Sequence, residues 1–282
     1  MAKIRIVTDS TCDIPVDLRD KYNISIIPCF VNYGGNSFAD DGVQLTREHY
    51  YRELPNIRPV PKTSAFPPGM VEPVLEAALK DADHVIIISL SSKLSGVYNA
   101  FRLGASNFPQ DKITLIDSGT TTMGLGYQVL IAAETAEATG DVEAIKRAVQ
   151  AVRTHQKVYA ALDTLEYLKH SGRVSWAQAG IGQLLQIKPI LDVGEDEVKS
   201  HSRVRTFKRA IDELVQLATT EAPLERLTIL HVGNESGARE LQDALKSIAP
   251  ADTLIVNITP AIGTHIGPGG LGVVTVSKSW KS

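Results

Sequence analysis

The sequence predicts an α/β fold, and three observations lead there. Short aliphatic, β-branched runs recur along the chain: Ile4 to Val7, Val85 to Leu90, Ile113 to Ile116, Leu227 to Val232, Leu254 to Ile258 and Val273 to Val276. Each is apolar nearly throughout, the pattern of a strand covered on both faces. Helical periodicity fills the gaps between them, and strands alternating with helices predict parallel pairing with right-handed crossovers. Finally, the composition is ordinary for a globular protein, with 43% apolar and 22% charged residues, so a core can be buried without disulfides or metal. A chain of 282 residues can hold one large domain or two ordinary ones.

The elements follow in order. The first strand runs into Thr8-Asp9-Ser10-Thr11, a turn sequence. Pro55 to Pro68 carries five prolines; it predicts an extended, rigid connection and excludes a central strand. The Val85–Leu90 strand enters Ser91-Ser92-Lys93-Leu94-Ser95-Gly96 and then a helical stretch, Val97 to Ala105. The Ile113–Ile116 strand ends at Asp117-Ser118. Val142, Ile145, Ala148, Val149 and Val152 mark one helix face, with Asp141 after Gly140 as its N-cap. That helix, through Thr154, closes a first domain of residues 1–155 and leaves 156–282 as a second. A short helical run from Leu165 to Lys169 precedes Gly172-Arg173-Val174-Ser175. Two more helix faces follow: Phe207, Ile211, Leu214 and Val215, then Leu241, Ala244, Leu245 and Ile248 before Pro250. Gly263 to Gly272 holds five glycines and Pro268 and predicts a loop with unusual dihedrals.

Bulk properties narrow the function. A net charge of −3 and a pI near 6.2 leave no electrostatic footprint for nucleic acid. No apolar stretch reaches the roughly 18 residues that span a bilayer, and the N-terminus has no signal-peptide pattern. Cys12 and Cys29 share no metal or redox spacing, and they are expected as reduced thiols of a cytoplasmic protein. The P-loop motif, a dinucleotide fingerprint between strand and helix, the H-E-x-x-H metal spacing and the G-x-S-x-G nucleophile elbow are all missing. No cofactor and no metal are expected.

The candidate site residues sit where an α/β sheet binds ligands, beyond the carboxyl ends of strands. Ser95 and Gly96 precede a helix whose free N–H groups suit an anion; Ser95 also reads as a plain N-cap. Asp9-Ser10 and Asp117-Ser118 would converge on one crevice in a parallel sheet, or serve only as turn residues. His265, among glycines that include Gly267, could donate to an anion or titrate near neutrality. Arg173 could hold a carboxylate bidentately or cap the preceding helix. Lys199, Arg203, Arg205, Lys208 and Arg209 form a basic cluster, either a solvated face or a docking site for an acidic partner. Motif physics stops at an anion-binding crevice.

Taken together, these segments resemble the DegV family of fatty-acid-binding proteins. The matching pieces are Thr8-Asp9-Ser10-Thr11, Lys62-Thr63-Ser64, Ser89 to Gly96 and Asp117-Ser118 in the first half. Thr164 to Lys169, Gly172 to Ser175, Lys188-Pro189-Ile190-Leu191 and His265 to Gly269 follow in the second. The resemblance implies an N-terminal three-layer α/β/α domain with a parallel sheet and a C-terminal two-layer α/β domain with a mixed sheet. It implies a non-catalytic carrier that buries one long-chain fatty acid and presents the carboxylate to a separate ATP-dependent fatty-acid kinase, for bacterial phospholipid synthesis. Carried over by motif, Thr63, Ser95 and His265 hold the carboxylate. Asp9, Ser10, Gly96, Asp117, Arg173 and Gly267 support the site, and Arg203 and Arg205 face the kinase. Two departures, Ala65-Phe66-Pro67-Pro68 after Thr-Ser and Val97 after Ser-Gly, put chain-length and unsaturation preference in question. The competing expectation is a hydrolase or phosphotransferase using Ser95 with His265 and Asp9 or Asp117, which would need triad geometry.

Overall fold

The computed structural model describes residues 1–174, 187–194 and 197–281 and has a mixed α/β architecture. In chain order the first strands are β1 (Ile4–Asp9), β2 (Ser25–Ile27), β3 (Phe30–Tyr33), β4 (Asn36–Ala39), β5 (Lys62–Ser64), β6 (His84–Ser89) and β7 (Ile113–Asp117). The later ones are β8 (Gln156–Ala161), β9 (Lys188–Val193), β10 (Val198–Val204), β11 (Leu224–His231), β12 (Leu254–Asn257) and β13 (Leu271–Ser277). The described α-helices are α1 (Val16–Lys21), α2 (Arg47–Glu53), α3 (Val71–Leu79), α4 (Val97–Gly104), α5 (Thr122–Thr139), α6 (Val142–Thr154), α7 (Glu166–Ser171), α8 (Phe207–Thr220), α9 (Glu235–Leu245) and α10 (Pro260–Ile266).

Strands β2-β1-β6-β7 form an all-parallel sheet. Its centre is the run Val85 to Ile88, where every residue is fully buried; α3 and α4 pack on β6 and α5 packs on β1 and β6. The second large sheet has the order β10-β9-β8-β13-β11-β12 and is antiparallel except for the β11–β12 pair. Helices α8 and α9 cover it, each started by a side-chain cap, Thr206 accepting from Arg209 N and Asn234 from Gly237 N. All the predicted strands are present, and the second sheet is mixed as expected.

Between the two large sheets lies α5, whose residues Thr122 to Ala133 are all buried. It touches β1 and β6 on one sheet and β8 and β13 on the other. A helix apolar all round is the kind that a core surrounds. Gly124 lets Val158 approach to where a Cβ would stand 2.7 Å from it. The Tyr127 hydroxyl meets Thr228 Oγ1 at 2.6 Å, and Arg226 donates to both oxygens of Glu134 at 2.9 and 3.0 Å.

Two expectations need correction. The proline-rich segment contains β5, paired with β3 in a small antiparallel sheet of order β4-β3-β5. It is an edge strand, so the constraint from proline holds while the purely extended connection does not. Gly263 to Ile266 are helical, not loop: they belong to α10, opened by Pro260 in its first turn. Gly263 is there because Tyr51 crosses that face, and a Cβ would stand 2.1 Å from its hydroxyl. The unusual dihedrals begin only at Gly267 (φ 81°) and Gly269 (φ 84°). Cys12 and Cys29 are both free and buried. No helix among the described residues is long and apolar enough to cross a membrane.

Candidate functional site

Because β1, β6 and β7 run parallel and adjacent, their carboxyl ends share one rim. Two acids at that rim shape a single loop. Asp9, fully buried, accepts from Leu90 N at 2.9 Å through Oδ2 and from Thr11 N and Thr11 Oγ1 at 3.1 and 2.5 Å through Oδ1. Burial pushes its carboxyl pKa up, and these hydrogen bonds oppose the shift. Asp117 accepts from Ser92 N at 3.3 and 3.2 Å and from Gly119 N at 3.0 Å. The two acids converge as the parallel sheet predicts, but on the backbone of the Leu90–Gly96 loop, which they hold from both sides. Ser10 turns away, donating to Asp40 Oδ2 at 2.9 Å and accepting from Cys29 N.

The loop delivers Ser95 immediately ahead of α4. The N-cap is Gly96, without a side-chain cap bond, so the plain-cap reading of Ser95 does not hold. Among the described residues no hydrogen bond engages the Ser95 hydroxyl. Thr63, carried on β5 opposite Val31, shares a 2.8 Å hydrogen bond with His265 Nε2 on α10. Gly267 ends that helix with φ 81° and ψ 164°, where a Cβ would stand 2.3 Å from the Tyr167 ring of α7. Arg173 follows Gly172, the left-handed C-cap of α7, and donates through Nη1 to Ser171 O at 2.7 Å. It thus caps the helix, one of its two expected roles. Ser175 of the same motif lies outside the described residues.

These residues line one cavity. It offers about 90 Å³ to the centre of a water molecule, within about 730 Å³ of empty space that includes its mouth. Thr63, Ser95, His265 and Arg173 are on its wall, and the rest of that wall is largely apolar: Leu90 and Leu94 beside the parallel sheet, Leu168, Val174, Leu191 and Val193 from the later part of the chain. Ser95 and Arg173 also border a shallow depression with Lys93 and Tyr98, which places them toward the outside. Sequence reasoning passed over the apolar wall and Thr121. That threonine also lines the cavity, and its buried Oγ1 has no partner among the described residues. Arg203 and Arg205, on and just after β10, are exposed and do not line the cavity.

The electrostatics corrects one expectation. Partial burial, reinforced by the positive charge of Arg173, holds the His265 pKa down, to about 3, so a neutral ring is expected near neutrality. Its imidazole is neutral and can donate one hydrogen bond and accept another. Ring nitrogen resonances of His265 should keep neutral-imidazole shifts from pH 8 down to pH 5; a protonation midpoint near the ordinary value of about 6.5 would refute this. As for the enzyme alternative, no hydrogen bond among the described residues joins Ser95 to His265. Asp9 and Asp117 are spent on backbone N–H groups, so the triad is not assembled here.

Comparison with known proteins gives a consistent picture. The family model described as "Uncharacterised protein, DegV family" matches residues 3–278. A DegV domain-containing protein of Clostridium perfringens is 32% identical, with 98% of this chain and 99% of that protein aligned. A DegV family protein from Thermus thermophilus, whose structure is described as showing fatty acid binding, superposes with a TM-score of 0.89 at 31% identity over 98% of this chain and 100% of that one. DegV from Bacillus subtilis, described as a fatty acid binding protein, gives 0.86 at 29% identity over 99% of this chain and 100% of that one.

Proposed function

This chain belongs to the DegV family, and from that premise we propose that it binds one long-chain fatty acid in the cavity and presents the carboxylate to a separate ATP-dependent fatty-acid kinase. The observation that carries the reading is the cavity itself: an apolar wall with Thr63, Ser95 and a neutral His265 on it. Three uncharged hydrogen-bonding groups can orient a carboxylate without a buried salt bridge, whose desolvation would offset much of its attraction. Affinity then comes from the tail, at about 0.8 kcal/mol per buried CH₂. The carrier does no chemistry of its own in this reading, which the unassembled triad supports. Phosphate transfer requires the head group to face outward, and Ser95 and Arg173 at the outer depression suit that orientation. Arg203 and Arg205 enter as the face that meets the kinase. The division at residues 155 and 156 is part of the proposal, with the cavity between the two domains.

Native mass spectrometry of protein purified without detergent, followed by organic extraction, tests the ligand. About one equivalent of a long-chain free fatty acid is expected. A lipid-free protein that also refuses added fatty acids would remove the proposal.

A further inference from the structure

We infer that Asp13 and Asp40 are positioning residues for His265: Asp13 accepts from the backbone that caps α10, Asp40 lies buried against the same first turn, and the pair holds the histidine near the far end of that helix in register with Thr63. The inference rests on the proposed ligand site and deepens it by naming what sets its geometry.

Asp13 follows the Ser10–Cys12 turn in the left-handed region, at φ 55°, and is 2% exposed. Its Oδ1 accepts from Thr259 N at 2.7 Å, and Thr259 is the residue that caps α10 without using its own side chain. Asp40, 4% exposed, accepts from Ser10 and faces the Thr259 hydroxyl and the Ala261 N–H. The rest of the helix is held from α2. Tyr51 donates to Ile258 O at 2.7 Å, and the Tyr50 hydroxyl meets Thr264 Oγ1 at 2.6 Å, one residue before His265. A helix this short and this tightly packed moves as one piece, because close-packed interiors transmit displacement.

A neutral side chain can also cap a helix, but an ionised carboxylate makes the stronger, charge-assisted bond to a backbone N–H. Two neighbouring buried carboxylates are costly, and their compensation is partial. Asp13 Oδ2 and Asp40 Oδ1 have no hydrogen-bond partner among the described residues, and Arg47 lies 3.8 Å from Asp13 Oδ1. Burial pushes Asp13 up to about 7 and Asp40 up to about 6, against the pull of Arg47. The pair is therefore expected to change charge between about pH 6 and 7, above the usual range for both acids, with His265 expected to stay neutral.

Other groups face the pair. Asp9 on β1 is shifted up by burial, as are Tyr51 on α2 and the thiols of Cys12 and Cys29. His231 on β11, which senses Arg47 and Glu48, is held down by burial. Asp41, Glu48 and Arg19 rim the same pocket, and Arg173 faces His265. The variant Asp13→Asn leaves all of these in place.

The sign of the linkage separates positioning from plain structure. Both carboxyls have folded pKa values above the ordinary 3.8, so folding favours their protonated forms. Their contribution to stability falls as pH rises from about 4 to about 7. The hydrogen bond of Asp13 to Thr259 N strengthens over the upper part of the same range. A merely structural pair would leave ligand affinity flat over this range, because the folded fraction stays near one; a positioning pair makes affinity rise.

The test uses the full chain, stripped of lipid, with ¹⁵N-labelled histidine. The His265 resonances should shift with an inflection between about pH 6 and 7 while the ring stays neutral, and Asp13→Asn should diminish that inflection and move it down toward the range of Asp40. Hexadecanoate should bind Asp13→Asn about tenfold more weakly than wild type at pH 7.5, the loss of one charge-assisted hydrogen bond, with the gap closing at pH 5.5. A flat His265 signal in wild type, or an inflection that is unchanged in Asp13→Asn, overturns the inference. If hexadecanoate binds neither protein but His265 responds as described, the ligand reading fails and the positioning role stands. Should Asp13→Asn not fold, the wild-type titration and Asp40→Asn carry the same test.

Discussion

Alanine at position 267 should lower the melting temperature by roughly 6–15 °C. Gly267 has φ 81° and ψ 164°, a region that is essentially glycine's alone and costs another residue about 1–3 kcal/mol. A Cβ there would also stand 2.3 Å from Cδ2 of Tyr167, and overpacking of this kind costs about 1–3 kcal/mol. The two add, because the first concerns the backbone and the second the ring. Gly267→Ala combined with Tyr167→Ala should therefore relieve the clash but not the dihedral, though Tyr167 is itself buried and its loss leaves a void. Thermal denaturation of the lipid-free protein checks this. A Gly267→Ala protein that melts with wild type would mean the turn can re-form in another conformation, and that α7 and α10 are not locked together through it.

That glycine also shows what was legible in the sequence. Gly263 to Gly272 announced unusual backbone, and Gly267 and Gly269 supply it. Gly263 looks the same in sequence and means something else: it lies inside α10 because Tyr51, more than 200 residues earlier, needs the space. The edge strand β7 was readable because its run Ile113 to Ile116 is made of β-branched and aliphatic residues, and β1 and β6 because a strand covered on both faces has a continuous apolar run. Helix α5 was not, for the same reason: buried on every side from Thr122 to Ala133, that stretch has no polar face and hence no 3.6-residue period to detect. The β3, β4 and β5 strands are three or four residues long, too short for alternation to register, and prolines flank β5.

For the site, residue chemistry alone reached an anion crevice, and the ordered motifs supplied the ligand class. The crevice was real in its scaffold: Asp9 and Asp117 do meet at one loop, each by accepting backbone N–H groups as turn residues do. What sequence could not give was charge. His265 reads as a titrating histidine until its burial and the nearness of Arg173 are known. Asp13 and Asp40 read as unremarked loop acids until the fold encloses them against α10.

Replacing Thr63 and Ser95 together by alanine should cut phosphorylation of the bound acyl group by about a hundredfold while leaving lipid occupancy nearly unchanged. Hydrogen bonds to a charged partner contribute about 1.5–3 kcal/mol each, so two lost at the head group cover the roughly 2.7 kcal/mol that a hundredfold change requires, even where water replaces part of the loss. Retention depends on a different quantity. Ten buried methylenes give about 8 kcal/mol gross, drawn from a wall formed by Leu90, Leu94, Leu168, Val174, Leu191 and Val193, none of which the double variant touches. The loss should therefore appear in turnover by the kinase, because an unanchored carboxylate spends little time in the attacking geometry. Thr63→Ala alone should cost more than Ser95→Ala alone, since it also removes the partner of His265 Nε2 and frees that ring to turn. The measurements are kinase turnover with each variant as substrate and native mass spectrometry of the same preparations. Unchanged turnover in the double variant would take the head group away from Thr63 and Ser95. Lost occupancy would show instead that these two hydroxyls, and not the apolar wall, hold the lipid.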